Sequence, residues 1–152
     1  PLYAVLDAGP DILNHNTETV PRLYKLARSG GRYERTLELL DRSRTYAPHI
    51  ATKSGIMLGL GEEWDEVIST LRDLRKAGCA ILTLGQYLRP SPAHLPMTRY
   101  YHPDEFRTLK DVHQRMYDSP AGAEIIRRDI QRFLDVPAGW RMLAQRARPA
   151  RP

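Results

Sequence analysis

A chain of 152 residues is long enough for one domain with a packed core and short for a complete α/β barrel. Its 41% apolar and 27% charged residues are ordinary for a globular protein; no apolar run has the length of a membrane span and PLYAVLDAGP lacks the pattern of a signal peptide, so a cytoplasmic protein is expected. The net charge of +5 gathers at the end, since residues 119–152 hold seven arginines, no lysine and three acids, whereas residues 1–118 hold sixteen basic and fifteen acidic side chains.

In chain order, Gly9-Pro10 ends whatever helix precedes it, and DILN (11–14) reads as a short strand. After NHNTET a helix is expected from Val20-Pro21, with Val20, Leu23, Tyr24 and Ala27 at helical spacing and Ser29-Gly30-Gly31 as its stop. A second helix spans about Tyr33 to Tyr46, turning Leu37, Leu40 and Leu39 inward and ending before Pro48. ATKSGIML (51–58) is the second strand. Glu62, Glu63, Asp65 and Glu66 then crowd the first turn of a helix, at the positive end of its dipole. Val67, Ile68, Leu71 and Leu74 form its buried stripe, and Lys76 with Gly78 closes it. CAILTLG (79–85) is a nearly continuous apolar run, as suits a parallel strand covered on both faces. The loop 86–103 is long enough for a lid or a binding loop. Helices are expected from Asp104 to about Tyr117, over 120–135 and, briefly, over 139–147. Strands separated by helices imply βαβ crossovers and a parallel sheet.

Cys79 is the one cysteine, which excludes an internal disulfide and a thiolate metal site built by these residues alone; a buried structural thiol is expected. The tail RMLAQRARPARP has no interleaved aromatic platform, so a solvated end is expected there rather than a nucleic-acid surface.

In parallel α/β proteins ligands gather at the carboxyl ends of strands. Three segments hold such positions: Asn14-His15-Asn16, Gly59-Leu60-Gly61-Glu62 and Gln86-Tyr87. The glycine run lacks the Gly-Lys-Ser/Thr of a phosphate loop and the third glycine of G-x-G-x-x-G. Its amides could receive an anion or a ribose edge, and a simple turn accounts for the glycines equally well. Glu62 could accept ligand hydroxyls or favour the helix start. His15 is a structural or substrate-contacting residue rather than a metal ligand, because His49, His94, His102 and His113 show no ligand spacing. Lys53, inside a strand, either snorkels or meets a carboxylate or phosphate.

Four segments, DILNHNTETVPRLY, TKSGIMLGLGEEWDEV, DLRKAGCAILTLGQYLRPS and HLPMTRYYHPDEF, resemble in order and spacing the carboxyl-terminal half of lipoyl synthase, a radical S-adenosylmethionine enzyme. The likeness runs from about Val5 to Val112. It implies a partial (β/α)6 barrel, of which about three βα units plus carboxyl-terminal helices fall within residues 1–117, followed by a divergent arginine-rich tail over 118–152. It also implies S-adenosylmethionine and two [4Fe–4S] clusters as cofactors. The family's reaction is sulfur insertion at C6 and C8 of an octanoyl chain on a lipoyl carrier domain or a glycine cleavage H protein. Gly55-x-Met57-x-Gly59-x-x-Glu62 looks like the G-x-I-x-G-x-x-E element that lines the adenosylmethionine pocket. Asn14, Asn16, Lys53, Gln86 and Tyr87 would join that pocket, with His15 as the substrate-facing residue.

The departures are equally specific. The C-x3-C-x2-C run and the auxiliary-cluster cysteines would precede Pro1, in a missing amino-terminal half, and the family's RSSYHA segment is absent. No metal ligand is expected in this chain, and the isolated chain is expected to be inert. The alternatives are a non-catalytic binding or scaffold protein, half of a split enzyme, or a domain binding a nucleotide-like ligand.

Overall fold

The computed structural model describes residues 1–116, with side chains through Gln114. The expected helices at 120–135 and 139–147 and the tail from 118 lie outside the described residues. Within them the chain is α/β. Strands β1 (Ile12–Asn14), β2 (Ala51–Leu58) and β3 (Ile81–Gln86) form one parallel sheet in the order β1-β2-β3. Helices α1 (Leu2–Asp7), α2 (Tyr24–Ala27), α3 (Tyr33–Tyr46), α4 (Trp64–Lys76) and α5 (Pro103–Met116) complete it.

The helix expected from Val20 is shorter than its periodicity suggests. Pro21–Leu23 forms a 3₁₀ turn that leads into the single turn of α2. Helix α3 buries Tyr33, Thr36, Leu40 and Ser43, a stripe at three- and four-residue spacing. Leu37 and Leu39 are only half-buried, at its margin. Pro48 disfavours helical backbone at Ala47, and α3 ends at Tyr46.

Helix α4 starts later than the run of acids implies. Glu63 is its N-cap, in a capping box where the Glu66 carboxylate accepts the Glu63 N–H at 2.8 Å. Glu62 therefore lies in the preceding loop. The first turn keeps Asp65 and Glu66 and the last turn Arg75 and Lys76, both signs favourable to the dipole. Gly78, at φ +79°, and Cys79 finish this helix through hydrogen bonds to Arg75 and Leu74, which delays β3 to Ile81. The Cys79 thiol is fully buried and donates to the Ile81 carbonyl at 3.1 Å, as a structural thiol does.

Along β2 burial alternates: Thr52, Ser54, Ile56 and Leu58 are buried, while Ala51, Lys53, Gly55 and Met57 are half-exposed. The buried set faces the helices. Ile56, Leu58 and Leu82 share one core with Leu40 of α3 and Val67, Leu71 and Leu74 of α4. Each leucine fully buried there contributes about 1.5–3 kcal/mol relative to exposure. The alternation leaves the second face of β2 to polar and small residues, and that face carries the candidate site.

Candidate functional site at the strand ends

The parallel register pairs Asn14 with Lys53, Gly55 with Thr83 and Met57 with Gly85. Partners in register share a sheet face, so Asn14, Lys53, Gly55, Met57 and Thr83 fall on the face turned from the core. Sequence spacing alone does not show this.

After Asn14 the chain stays on β2. The N–H of His15 donates to the Lys53 carbonyl, those of Thr17 and Glu18 to Gly55, and that of Met57 to Glu18. Thr17 also places its N–H and hydroxyl on the buried Ser54 hydroxyl, at 3.1 and 2.8 Å. Glu18 takes φ +75°, a strained value for a residue with a side chain. The Arg28 guanidinium holds the Asn16 carbonyl at 2.9 Å and reaches the Tyr24 hydroxyl at 3.3 Å. The backbone of Asn14-His15-Asn16 is thus pinned from several sides. The side-chain amides of Asn14 and Asn16 take part in no hydrogen bond among the described residues. Asn16 lies against Gly55, where a Cβ would come within 3.0 Å of its Oδ1. A side chain at Gly55 would push the Asn16 amide back by a few tenths of an ångström. Arg28 is a contributor that the sequence reading passed over, hidden in the turn ARSGG.

His15 turns toward α3. Its Nε2 lies 3.4 Å from the Thr36 hydroxyl, which pairs with the Tyr24 hydroxyl at 2.7 Å. Burial first and the Arg28 charge second hold the imidazole below its ordinary pKa, so it is neutral at pH 7. His15 and Asn14 also line a cleft of about 650 Å³ between α1 and α3, with Arg35, Glu38 and Arg42 at its polar side.

The other half of the expected set serves the loop after β3. Both Glu62 oxygens accept backbone N–H groups, from Gly59 at 2.6 Å and Leu60 at 2.9 Å, and Glu62 is 6% exposed. Within the glycine run, the Gly59 and Leu60 amides are therefore already engaged and not open to an anion. Gln86 donates from Nε2 to the carbonyls of Tyr87 and Arg99, both at 3.1 Å, and its Oε1 accepts the Tyr101 N–H at 2.9 Å. The Tyr87 hydroxyl donates to the Leu95 carbonyl at 2.9 Å, and the Thr98 N–H to Gly59 at 2.7 Å. Gly59, at φ +108°, admits this loop; a Cβ there would come 2.6 Å from the Arg99 carbonyl. The Arg99 guanidinium lies 3.7 Å over the Tyr101 ring. Burial first and the nearby Glu62 carboxylate second push the Tyr101 hydroxyl above its usual pKa, so it stays protonated.

The nine residues expected to line one pocket therefore divide. Asn14, Asn16, Lys53, Gly55 and Met57 gather on or beside one sheet face. Gly59, Glu62, Gln86 and Tyr87 fix the adjoining loop at the strand ends. A parallel α/β unit with a pinned polar loop at the carboxyl end of one strand and a braced loop at the next is of the class that receives ligands at strand ends.

No family model matches the chain. It is 56% identical over 115 residues to the lipoyl synthase of Koribacter versatilis (strain Ellin345), 76% of this chain and 38% of that protein. With the lipoyl synthase of Desulfotalea psychrophila it is 56% identical over 111 residues, 73% of this chain and 37% of the relative. With that of Methylococcus capsulatus it is 55% identical over 119 residues, 78% and 37% respectively. Over about three quarters of its length the chain is a lipoyl synthase homologue, and it spans just over a third of the length of these relatives.

The iron–sulfur clusters implied by that resemblance do not fit the residues present. Clusters of this kind are held by thiolates. The single cysteine is buried and engaged with the Ile81 carbonyl, and the described residues hold no group of three or more His, Cys, Asp or Glu placed for a metal. No helix among the described residues is long and apolar enough to cross a membrane.

Proposed function

We propose that this chain supplies the adenosylmethionine-pocket wall of a lipoyl synthase-type radical enzyme, as part of the carboxyl-terminal half of its partial barrel. Residues 1–117 are the barrel portion and 118–152 the divergent tail. The observation that carries this reading is the pinned Asn14-Asn16 loop, its two amides uncommitted, beside Gly55 and Lys53 in a chain with lipoyl synthase relatives. Asn14 and Asn16 can donate to and accept from the polar groups of a nucleoside and an amino acid. Lys53 offers positive charge on the same face, Gly55 lets the Asn16 side chain lie close against the sheet, and Met57 gives the ligand an apolar side. Adenosylmethionine, when bound to such an enzyme, is the source of the radical. The role of these residues is to bind and orient it. Gly59, Glu62, Gln86 and Tyr87 hold the loop that borders the same strand ends.

The whole enzyme's activity is then sulfur insertion into an octanoyl chain carried by a lipoyl domain or an H protein, in the cytoplasm. These 152 residues alone perform no turnover, because they bring one thiol where two clusters need several. Two measurements test the reading. In calorimetric titration of the chain, adenosylmethionine is expected to bind in preference to ATP, because the Gly59 and Leu60 amides that would cradle a phosphate are taken by Glu62. Preferential ATP binding would sink the assignment. Anaerobic iron and sulfide reconstitution of the chain is expected to give neither a [4Fe–4S] absorption band nor 5′-deoxyadenosine. Their appearance would overturn the claim that the chain is inert alone.

A further inference from the structure

Thr83 lies on the sheet face of the candidate site but has been given no role so far. In sequence it is the polar interruption of CAILTLG, and β-strand propensity alone accounts for a threonine there. The register gives it another meaning. Thr83 pairs with Gly55, one same-face step from the Lys53–Ile81 pair and one from the Met57–Gly85 pair. It therefore stands on the face that carries Asn14 and Lys53, opposite the glycine that Asn16 packs against. Its Oγ1 is buried and has no hydrogen-bond partner among the described residues. A buried hydroxyl without a partner is unfavourable, and a methyl in its place would avoid that cost. Of the threonines nearby, Thr52 donates to the Gly78 carbonyl at 2.8 Å and Thr17 pairs with Ser54 at 2.8 Å, while the buried Thr19 Oγ1, on the segment beside β2, also has no partner among the described residues.

We propose that the Thr83 hydroxyl is a ligand contact of this face, giving a hydrogen bond to a polar group of the bound nucleoside-amino acid. The assignment rests on the adenosylmethionine reading above. Its place directly across from Gly55 sets Thr83 beside the point where the uncommitted Asn16 side chain lies against the sheet. Thr83→Val keeps the shape and the β-branched preference and removes the hydroxyl; Thr83→Ser keeps the hydroxyl and removes the methyl.

The test is calorimetric titration of adenosylmethionine into the wild-type chain and both variants, with thermal unfolding of each. Loss of one hydrogen bond is expected to weaken binding by Thr83→Val roughly threefold to tenfold. Thr83→Ser binds like wild type, and Thr83→Val melts at or above the wild-type temperature. Wild-type binding with an unchanged Kd for Thr83→Val overturns the Thr83 assignment alone. So does a weakened Thr83→Ser, which would assign the effect to the methyl. A clear drop in the Thr83→Val melting temperature overturns it too, by giving the hydroxyl a structural partner. A wild-type chain that binds no adenosylmethionine overturns the proposed function and this assignment together.

Discussion

Gly59→Ala is expected to remove a large share of the stability of the chain. Two independent costs meet at this position. The backbone sits at φ +108°, a conformation that costs a residue with a Cβ about 1–3 kcal/mol. The added Cβ would also come 2.6 Å from the Arg99 carbonyl, and backbone, unlike a side-chain tip, has no rotamer by which to yield. Overpacking of that sort costs about 1–3 kcal/mol more. Their sum is a large share of the roughly 5–15 kcal/mol that holds a domain together. Gly30→Ala is the control. Its φ is also positive, at +75°, but a Cβ there meets nothing within 4 Å, so only a conformational cost of about 1 kcal/mol is expected. Urea unfolding of the three proteins decides the matter. Equal midpoints for the two variants would mean that the loop from Thr98 to Tyr101 does not bear on Gly59 as described.

Acid is expected to destabilise the chain through His113. This side chain of α5 is 2% exposed; burial first and the Arg75 guanidinium second hold its imidazole down to about 4. In the unfolded chain it titrates at 6.5. The proton is therefore bound more readily by the unfolded chain, and protonation favours unfolding. The stabilisation is complete above pH 6.5, is lost progressively as the pH falls, and is gone below about 4. At 1.36 kcal/mol for each pKa unit, the loss is on the order of 3 kcal/mol. His15 is shifted in the same direction and adds with the same sign. Thermal melts at pH 7, 5.5 and 4.5 should show a steep fall in the wild type. His113→Leu should be shallower over that window. Parallel curves for the two proteins would remove His113 as the cause.

The fold was largely legible where one physical signal dominated. Helix α3 and strand β2 follow from apolar spacing and from proline and glycine punctuation, and β2 falls where the sequence reading puts it. Boundaries shifted where a cap competed with propensity. Cys79 reads as strand because it is apolar, yet its N–H is spent on the end of α4. Glu62 reads as a helix-start acid, yet its carboxylate closes the turn before the helix. The candidate site was legible as three strand-end segments and illegible as a division of labour. That division depends on partners distant in sequence: Gln86 on Tyr101, Arg28 on Asn16, and Thr83 across from Gly55. Asparagine, glutamine and glutamate look equally ligand-like in a sequence. Only the occupancy of their hydrogen-bonding groups separates those that brace a loop from those left for a ligand.

The order β1-β2-β3 has a kinetic consequence. Each strand pairs with the one made just before it, so no described sheet contact requires a strand to be inserted between two others. The pairing of Ile12 with Ala51 closes 39 residues of chain and that of Lys53 with Ile81 closes 28. The loop-closure costs of the two steps differ by only about 0.3 kcal/mol. A chain emerging amino terminus first can therefore lay down its sheet in the order of synthesis, each completed strand acting as the template for the next.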